Sequence, residues 1–217
     1  MTRVLLVRHG QSEWNADGRW QGQADPPLTD LGRQQASDAA RALGAVDAIV
    51  TSDLQRAAET ADIISEALGV GPVVVEPDLR ERHAGEWQGL TRAEIDRDWP
   101  GYLGAAPPVE GEQGSSPAPT ERRPRERRPP GWESDEALVE RAVKALVAIH
   151  HLIASGEVIA VTHGGLVYAV EALLGGPFIR LPNLGARWVE VGPDGPEALG
   201  DRVLLVPPEE LTIPAQI

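Results

Sequence analysis

The chain has no cysteine among its 217 residues, which excludes disulfides, thiolate metal sites and cysteine nucleophiles. Lysine is almost missing too: Lys144 stands against nineteen arginines among the twenty basic residues. There is no excess of basic charge. The formal net charge of −13 argues against general nucleic-acid binding, because phosphate backbones need a basic face. A small phosphorylated substrate remains open, since a few arginines focused in a cleft can hold an anion inside an acidic protein. No apolar run approaches the ~18 residues expected of a membrane span. The amino terminus enters a strand directly, with no signal-like stretch and cleavage site. No internal repeat is present. Together these absences predict a cytoplasmic protein with a small-molecule partner, no nucleic acid and no membrane.

The length suits one domain, 1–217, and 41 % hydrophobic residues are enough for a core. Strand and helix patterns alternate along it. Strand Arg3–Val7 precedes a polar loop and a helix over Asp30–Leu43, with Thr29 as N-cap. Strand Ala48–Thr51 leads to a helix over Leu54–Leu68, ended by Gly69. A short strand follows at Val73–Glu76, rich in β-branched residues. Thr91-Arg92-Ala93-Glu94 is a capping box opening a short helix that stops near Pro100. Ser134 caps a long helix over Asp135–Ala154, whose Leu138, Val139, Ala142, Leu146 and Ile149 recur at helical spacing. Strand Glu157–Val161 and an apolar helix over Leu166–Leu174 come next. Two final strands, Trp188–Val191 and Arg202–Val206, flank Pro193-Asp194-Gly195 as an antiparallel hairpin. Such alternation predicts a three-layer α/β/α fold with a mainly parallel central sheet.

One stretch breaks the order. From Ala105 to Pro130 the chain is rich in Pro, Gly, Ser, Glu and Arg, including Arg122, Arg123, Arg125, Arg127 and Arg128. It cannot bury enough surface to offset its ordering entropy. The plain expectation is a surface insertion; the sharper one is a cationic lid over an anionic substrate.

Chemistry concentrates at two strand ends. Leu6-Val7-Arg8-His9-Gly10 closes the first apolar run, and Thr162-His163-Gly164-Gly165 closes another. In open α/β sheets ligands bind at the carboxyl ends of the strands. Arginine offers a planar fork of donors for phosphate, and a neutral imidazole beside it can attack phosphorus.

These residues carry a resemblance. Leu6 to Asn15, Gly18-Arg19-Trp20-Gln21-Gly22 and Pro27 to Arg33 are similar to the opening motifs of the histidine phosphatase superfamily, the phosphoglycerate-mutase-like proteins. Ser52-Asp53-Leu54-Gln55-Arg56-Ala57-Ala58-Glu59-Thr60-Ala61 resembles its second arginine motif. Leu79-Arg80-Glu81 with Gly85 to Leu90 resembles its acidic motif, and Val161 to Gly165 its last. The motifs arrive in family order and cover most of the chain outside the insertion. Within the phosphatase branch, Gly18 to Gln23 and Gly85 to Thr91 with Glu94-Ile95-Asp96 are similar to actinobacterial glucosyl-3-phosphoglycerate phosphatases.

The resemblance implies roles. His9 is the expected nucleophile, neutral, with its other ring nitrogen donating to a backbone carbonyl. Arg8 and Arg56 are expected to clamp the phosphoryl oxygens, Arg56 with help from the first turn of its helix. His163 is expected as a further phosphate contact in its imidazolium form, with Gly164 beside it. Asn15 and Gln21 are expected to donate hydrogen bonds to the phosphate or leaving-group side. Glu81 is the expected general acid. Ser12 and Thr162 are supporting polar residues, His83 belongs to the rim or to solvent, and Trp20 and Trp87 either wall the pocket or pack. His150 and His151 are adjacent on a helix and diverge, so they cannot chelate as an i, i+4 pair. No metal and no cofactor is implied.

The implied activity is hydrolysis of a small phosphomonoester, of sugar or glycerate phosphate type, through a phosphohistidine. Two alternatives stand beside it: a cofactor-dependent phosphoglycerate mutase and a non-catalytic phospholigand-binding module. The resemblance also allows a homodimer.

Overall fold

In the computed structural model, residues 1–103, 127–207 and 212 are described. Six strands form one sheet: β1 (Thr2–Arg8), β2 (Ala48–Thr51), β3 (Val74–Val75), β4 (Gly156–Thr162), β5 (Gly185–Gly192) and β6 (Gly195–Leu204). Their spatial order is β3-β2-β4-β1-β5-β6. The pairs β2–β3, β2–β4 and β1–β4 are parallel, and β1–β5 and β5–β6 antiparallel, so the sheet is mainly parallel as the alternation predicts.

Six helices accompany it: α1 (Glu13–Ala16), α2 (Asp30–Ala42), α3 (Gln55–Leu68), α4 (Arg92–Asp98), α5 (Asp135–Leu152) and α6 (Gly164–Leu173). Successive residues of a strand point to opposite faces. On β1, Val4 and Leu6 pack with Leu138, Ala142 and Leu146 of α5 and with Leu166 and Val170 of α6. Leu5 and Val7 pack with Ala39 of α2 and with Ala57, Ala61 and Ile64 of α3. This is the three-layer arrangement, with α5 and α6 on one face and α2 and α3 on the other.

Local chemistry sets the helix ends. Thr29 accepts from the Gly32 N–H, Ser134 from the Ala137 N–H, and Thr91 forms a full capping box with Glu94. Helix α3 ends at Gly69 in the left-handed region, as expected. The first turn after β1 is new: Ser12 and Asn15 form a reciprocal capping box around the four-residue α1. A helix that short gives no periodic signal.

The last hairpin needs correcting. It is antiparallel, but its second strand starts at Gly195 instead of Arg202 and ends at Leu204. The segment Pro196-Glu197-Ala198-Leu199-Gly200-Asp201 has little β propensity, and its pairing with β5 overrides that preference. Buried Glu171 of α6 holds both strands, bonding Arg202 at 2.8 and 2.5 Å and lying 3.2 Å from Arg187. Most of the predicted insertion, 105–130, lies outside the described residues. Its end, from Arg127, is described: Arg127 lies over the Tyr102 ring and Arg128 over Trp132.

Leu6 is fully buried at the centre of β1. Leu6→Ala is therefore expected to cost about 3 kcal/mol of folding stability, read as a lower urea midpoint at unchanged slope.

Candidate active site

The register of three parallel strands builds the site. Arg8, the last residue of β1, pairs with Thr162, the last of β4, so His9 and His163 follow side by side. Their ring centroids are 5.1 Å apart. Strand β2 flanks β4 on its other side, with Thr51 paired to Val161, and its exit delivers Ser52 and then Arg56 in the first turn of α3. The turn after β1 is narrow. A Cβ on Gly10 would lie 2.5 Å from the Gly32 carbonyl oxygen, so only glycine fits against the start of α2.

His9 is held in one state. Its Nδ1 donates to the Gly10 carbonyl at 2.6 Å, which leaves Nε2 as the acceptor, and Nε2 receives the Arg56 Nε–H at 3.2 Å. Burial pushes the His9 pKa well below 6.5, and Arg56 and Arg8 lower it further against the opposing Gly10 bond. The Gly10 contact and this shift both favour the neutral Nδ1–H tautomer.

Arg56 is fully buried, with Nη1 donating to Ala24 O at 2.8 Å and Nη2 to Gly22 O at 2.9 Å. Burial lowers its pKa to about 10, with Glu81 and Asp25 opposing, so it remains cationic at neutral pH. Arg8 donates to Leu181 O at 2.7 Å, and its buried Nε has no partner among the described residues. The same holds for His163 Nδ1, while His163 Nε2 and Ser52 Oγ are 3.0 Å apart. Buried polar groups are normally satisfied. Two unsatisfied nitrogens, one on each side of His9, fit a site that an anion completes.

His163 shares the electrostatics of His9. Burial, then Arg56, then His9 push its pKa well below 6.5, which favours the neutral ring. Two guanidinium groups already occupy the space, and a third cation without an anion is disfavoured.

Glu81 reaches the site from the loop after the 3₁₀ turn Pro77–Leu79. Its Oε1 accepts from the Arg82 N–H at 2.7 Å and its Oε2 from the Gly165 N–H at 3.1 Å, two residues beyond His163. A Cβ on Gly165 would come within 2.2 Å of Glu81 Oε1, so glycine there makes room for the carboxylate.

Asn15 and Gln21 both meet Ser12, each with its carbonyl oxygen engaged, and Asn183 links Asn15 to His9. Asn15 Oδ1 accepts from Ser12 N at 3.2 Å and Gln21 Oε1 from Ser12 Oγ at 2.7 Å. Their amide NH₂ groups are the ends left to donate. Thr162 supports from below, giving its hydroxyl to Leu79 O at 2.7 Å.

Two positions carry more than the sequence suggests. Buried Asn183 donates to His9 O at 2.9 Å and to Asn15 Oδ1 at 3.2 Å, and its own oxygen accepts from Thr212. Pro182-Asn183 looks like an ordinary turn in sequence, and only the tertiary fold buries it. Leu184 beside it adopts φ 54°, rare for a branched side chain, and donates its N–H to Arg8 O. Ser52, within a quoted motif, meets His163 as described above.

Other conspicuous residues are peripheral. Trp20, Trp87 and Trp132 pack edge to face at 5.5–5.8 Å, so the tryptophans are packing groups. His83 turns Nδ1 toward Gly131 O at 3.0 Å. The rings of His150 and His151 are 6.1 Å apart and tilted. Among the described residues no group of three or more His, Asp or Glu could hold a metal ion. No helix of the described residues is long and apolar enough to cross a membrane.

Two imidazoles and two guanidinium groups lie together at the carboxyl ends of parallel strands, an arrangement suited to holding a phosphoryl group. Residues 4–198 match the family model of the histidine phosphatase superfamily, branch 1. The chain belongs to this superfamily, and it is a phosphoric monoester hydrolase by class. It is 38 % identical over 214 residues to the glucosyl-3-phosphoglycerate phosphatase of Mycolicibacterium vanbaalenii, covering 87 % of this chain and 83 % of that one. It is 36 % identical over 173 residues to the metal-independent phosphoserine phosphatase of Arabidopsis thaliana, covering 78 % and 67 %. A mycobacterial glucosyl-3-phosphoglycerate phosphatase solved with VO3 superposes with a TM-score of 0.73 at 31 % identity, covering 92 % of this chain and 97 % of that one.

Two outcomes follow. Because protonated His9 cannot attack and its pKa is depressed, the acid limb of kcat/KM should fall below 6.5, after correction for substrate ionisation. A limb above that value would contradict a neutral, buried nucleophile. Gly165→Ala should keep or raise thermal stability, since alanine suits a helix, while displacing Glu81 and lowering turnover of alkyl phosphates by at least tenfold.

Proposed function

We propose that His9 Nε2 takes the phosphoryl group of a small anionic phosphomonoester and passes it to water. The carrying observation is the fixed tautomer of His9: Nδ1 bound to Gly10 O, with Nε2 as the acceptor beside Arg56. In the first step the Nε2 lone pair forms the N–P bond while the ester P–O bond breaks. The leaving alkoxide takes its proton from Glu81. In the second step Glu81 accepts a proton from water, the water oxygen bonds phosphorus, and the N–P bond breaks.

Arg8, Arg56, His163, Asn15, Gln21 and the Gly164 N–H at the start of α6 would hold the three non-bridging oxygens. Phosphoryl transfer asks mainly for positioning and charge stabilisation, which these donors supply without a metal. The anion would also return a proton to His163, since an adjacent negative charge favours its imidazolium form.

The names of the relatives support a substrate that joins a sugar or glycerate unit to phosphate. We read 1–217 as one catalytic domain, because both halves of the sheet contribute strand ends to one cleft, and we place its work in the cytoplasm. A mutase would return the phosphoryl group to a second hydroxyl; a phosphatase loses it to water.

His9→Ala should abolish phosphate release from glycerate and sugar phosphates, and should leave no acid-labile, alkali-stable label after brief mixing with a ³²P-ester. Activity should survive exhaustive chelation. Wild-type protein given 3-phosphoglycerate with its 2,3-bisphosphate should release inorganic phosphate; the 2-phospho isomer as the main product would reverse the assignment.

A further inference from the structure

Arg141 of α5 lies outside every motif that marks the site, yet it uses all its donors around Glu81. Nη1 donates to Asp78 O at 2.9 Å and Arg80 O at 2.5 Å. Nη2 donates to Glu81 O at 3.0 Å and Glu133 Oε2 at 2.9 Å, and Nε to Glu133 Oε1 at 2.7 Å. A guanidinium has five N–H groups, and here each has an acceptor. Glu133 continues the chain of contacts: its Oε2 accepts from His83 N at 3.0 Å and its carbonyl from Arg82 Nη1 at 2.8 Å. Only about 15 % of the Arg141 side chain and 14 % of the Glu133 side chain is exposed.

This pair therefore grips the backbone on both sides of Glu81, and on Glu81 itself. Gln23 adds a bond from Nε2 to the same carbonyl at 3.1 Å. The side chain of Glu81 is left with one course, over the Gly165 N–H. The loop carries no regular strand or long helix that would otherwise fix it. Arg141 also acts on His163, whose pKa it helps to lower.

We propose that Arg141 and Glu133 are positioning residues for the proton-transfer step, holding the Glu81 carboxyl at the leaving-group side of the phosphoryl site. Lysine cannot replace Arg141, because three donors on a point charge cannot bridge three carbonyls and a bidentate carboxylate. The proposal rests on Glu81 as the general acid.

The test compares two esters. Expulsion of p-nitrophenolate needs little protonation; expulsion of an alkoxide from glycerol 3-phosphate needs a proton. Arg141→Lys should lower kcat/KM for glycerol 3-phosphate on the order of 10²-fold, the usual size of a general-acid contribution, and that for p-nitrophenyl phosphate by less than about threefold. Glu133→Gln, which keeps the shape and one acceptor oxygen, should show the same selectivity more weakly, and serves if Arg141→Lys does not fold. Equal losses on both esters, or no loss on either, would overturn the positioning role.

Glu81→Gln separates this failure from failure of the acid assignment. If Glu81→Gln is selective and the Arg141 and Glu133 variants are not, the positioning proposal fails alone. If Glu81→Gln is itself unselective, the acid assignment fails and the proposal with it. Adding Arg141→Lys to Glu81→Gln should cost no further selectivity, since both act on one proton.

Discussion

Burial of two guanidinium groups beside two imidazoles is the constraint around which this molecule is arranged. Burial is the largest influence pulling the Arg56 pKa down to about 10, and with the neighbouring guanidinium groups it pushes both histidines well below 6.5. A cluster of this kind is costly unless something offsets it. Backbone carbonyls do part of that work, from Gly22, Ala24 and Leu181. Arg8 Nε and His163 Nδ1 have no hydrogen-bond partner among the described residues. Folding thus prepares a space whose electrostatic need matches a phosphoryl dianion. Preorganised charge of this kind needs little rearrangement when the reaction begins.

The sheet makes that preparation possible. Parallel neighbours end at the same level, so β1, β4 and β2 release His9, His163 and Ser52 at adjacent points with no long loop between site and scaffold. Glu81 is the exception, since it comes from irregular chain. The molecule compensates with side-chain contacts from α5, so the least regular part of the site is also the most heavily cross-bonded.

What the sequence discloses follows the same division. Residues at strand ends were legible, because periodicity locates the strands and the Arg-His and Thr-His-Gly steps mark their exits. Capping residues Thr29, Thr91 and Ser134 were legible as well, since their chemistry is local. Arg141 and Asn183 were not, because their partners lie 60 and 174 residues away, at Glu81 and His9. Nothing in a five-residue window distinguishes a helix arginine that touches water from one that touches three carbonyls. The electrostatics of His163 are not legible either: they depend on how many cations share a volume, which spacing does not show. The late strand β6 escaped because its pairing partner, and not its own composition, makes it a strand.

The double use of Arg56 has a consequence for how such a site can diversify. Its Nη atoms hold the carbonyls of Gly22 and Ala24 while its Nε faces His9, so one side chain both shapes the 22–24 turn and flanks the proposed nucleophile. Any drift at this position disturbs loop geometry and charge together, and the two losses cannot be repaired one at a time. The surroundings of the His9 imidazole are thereby tied to the path of a neighbouring loop.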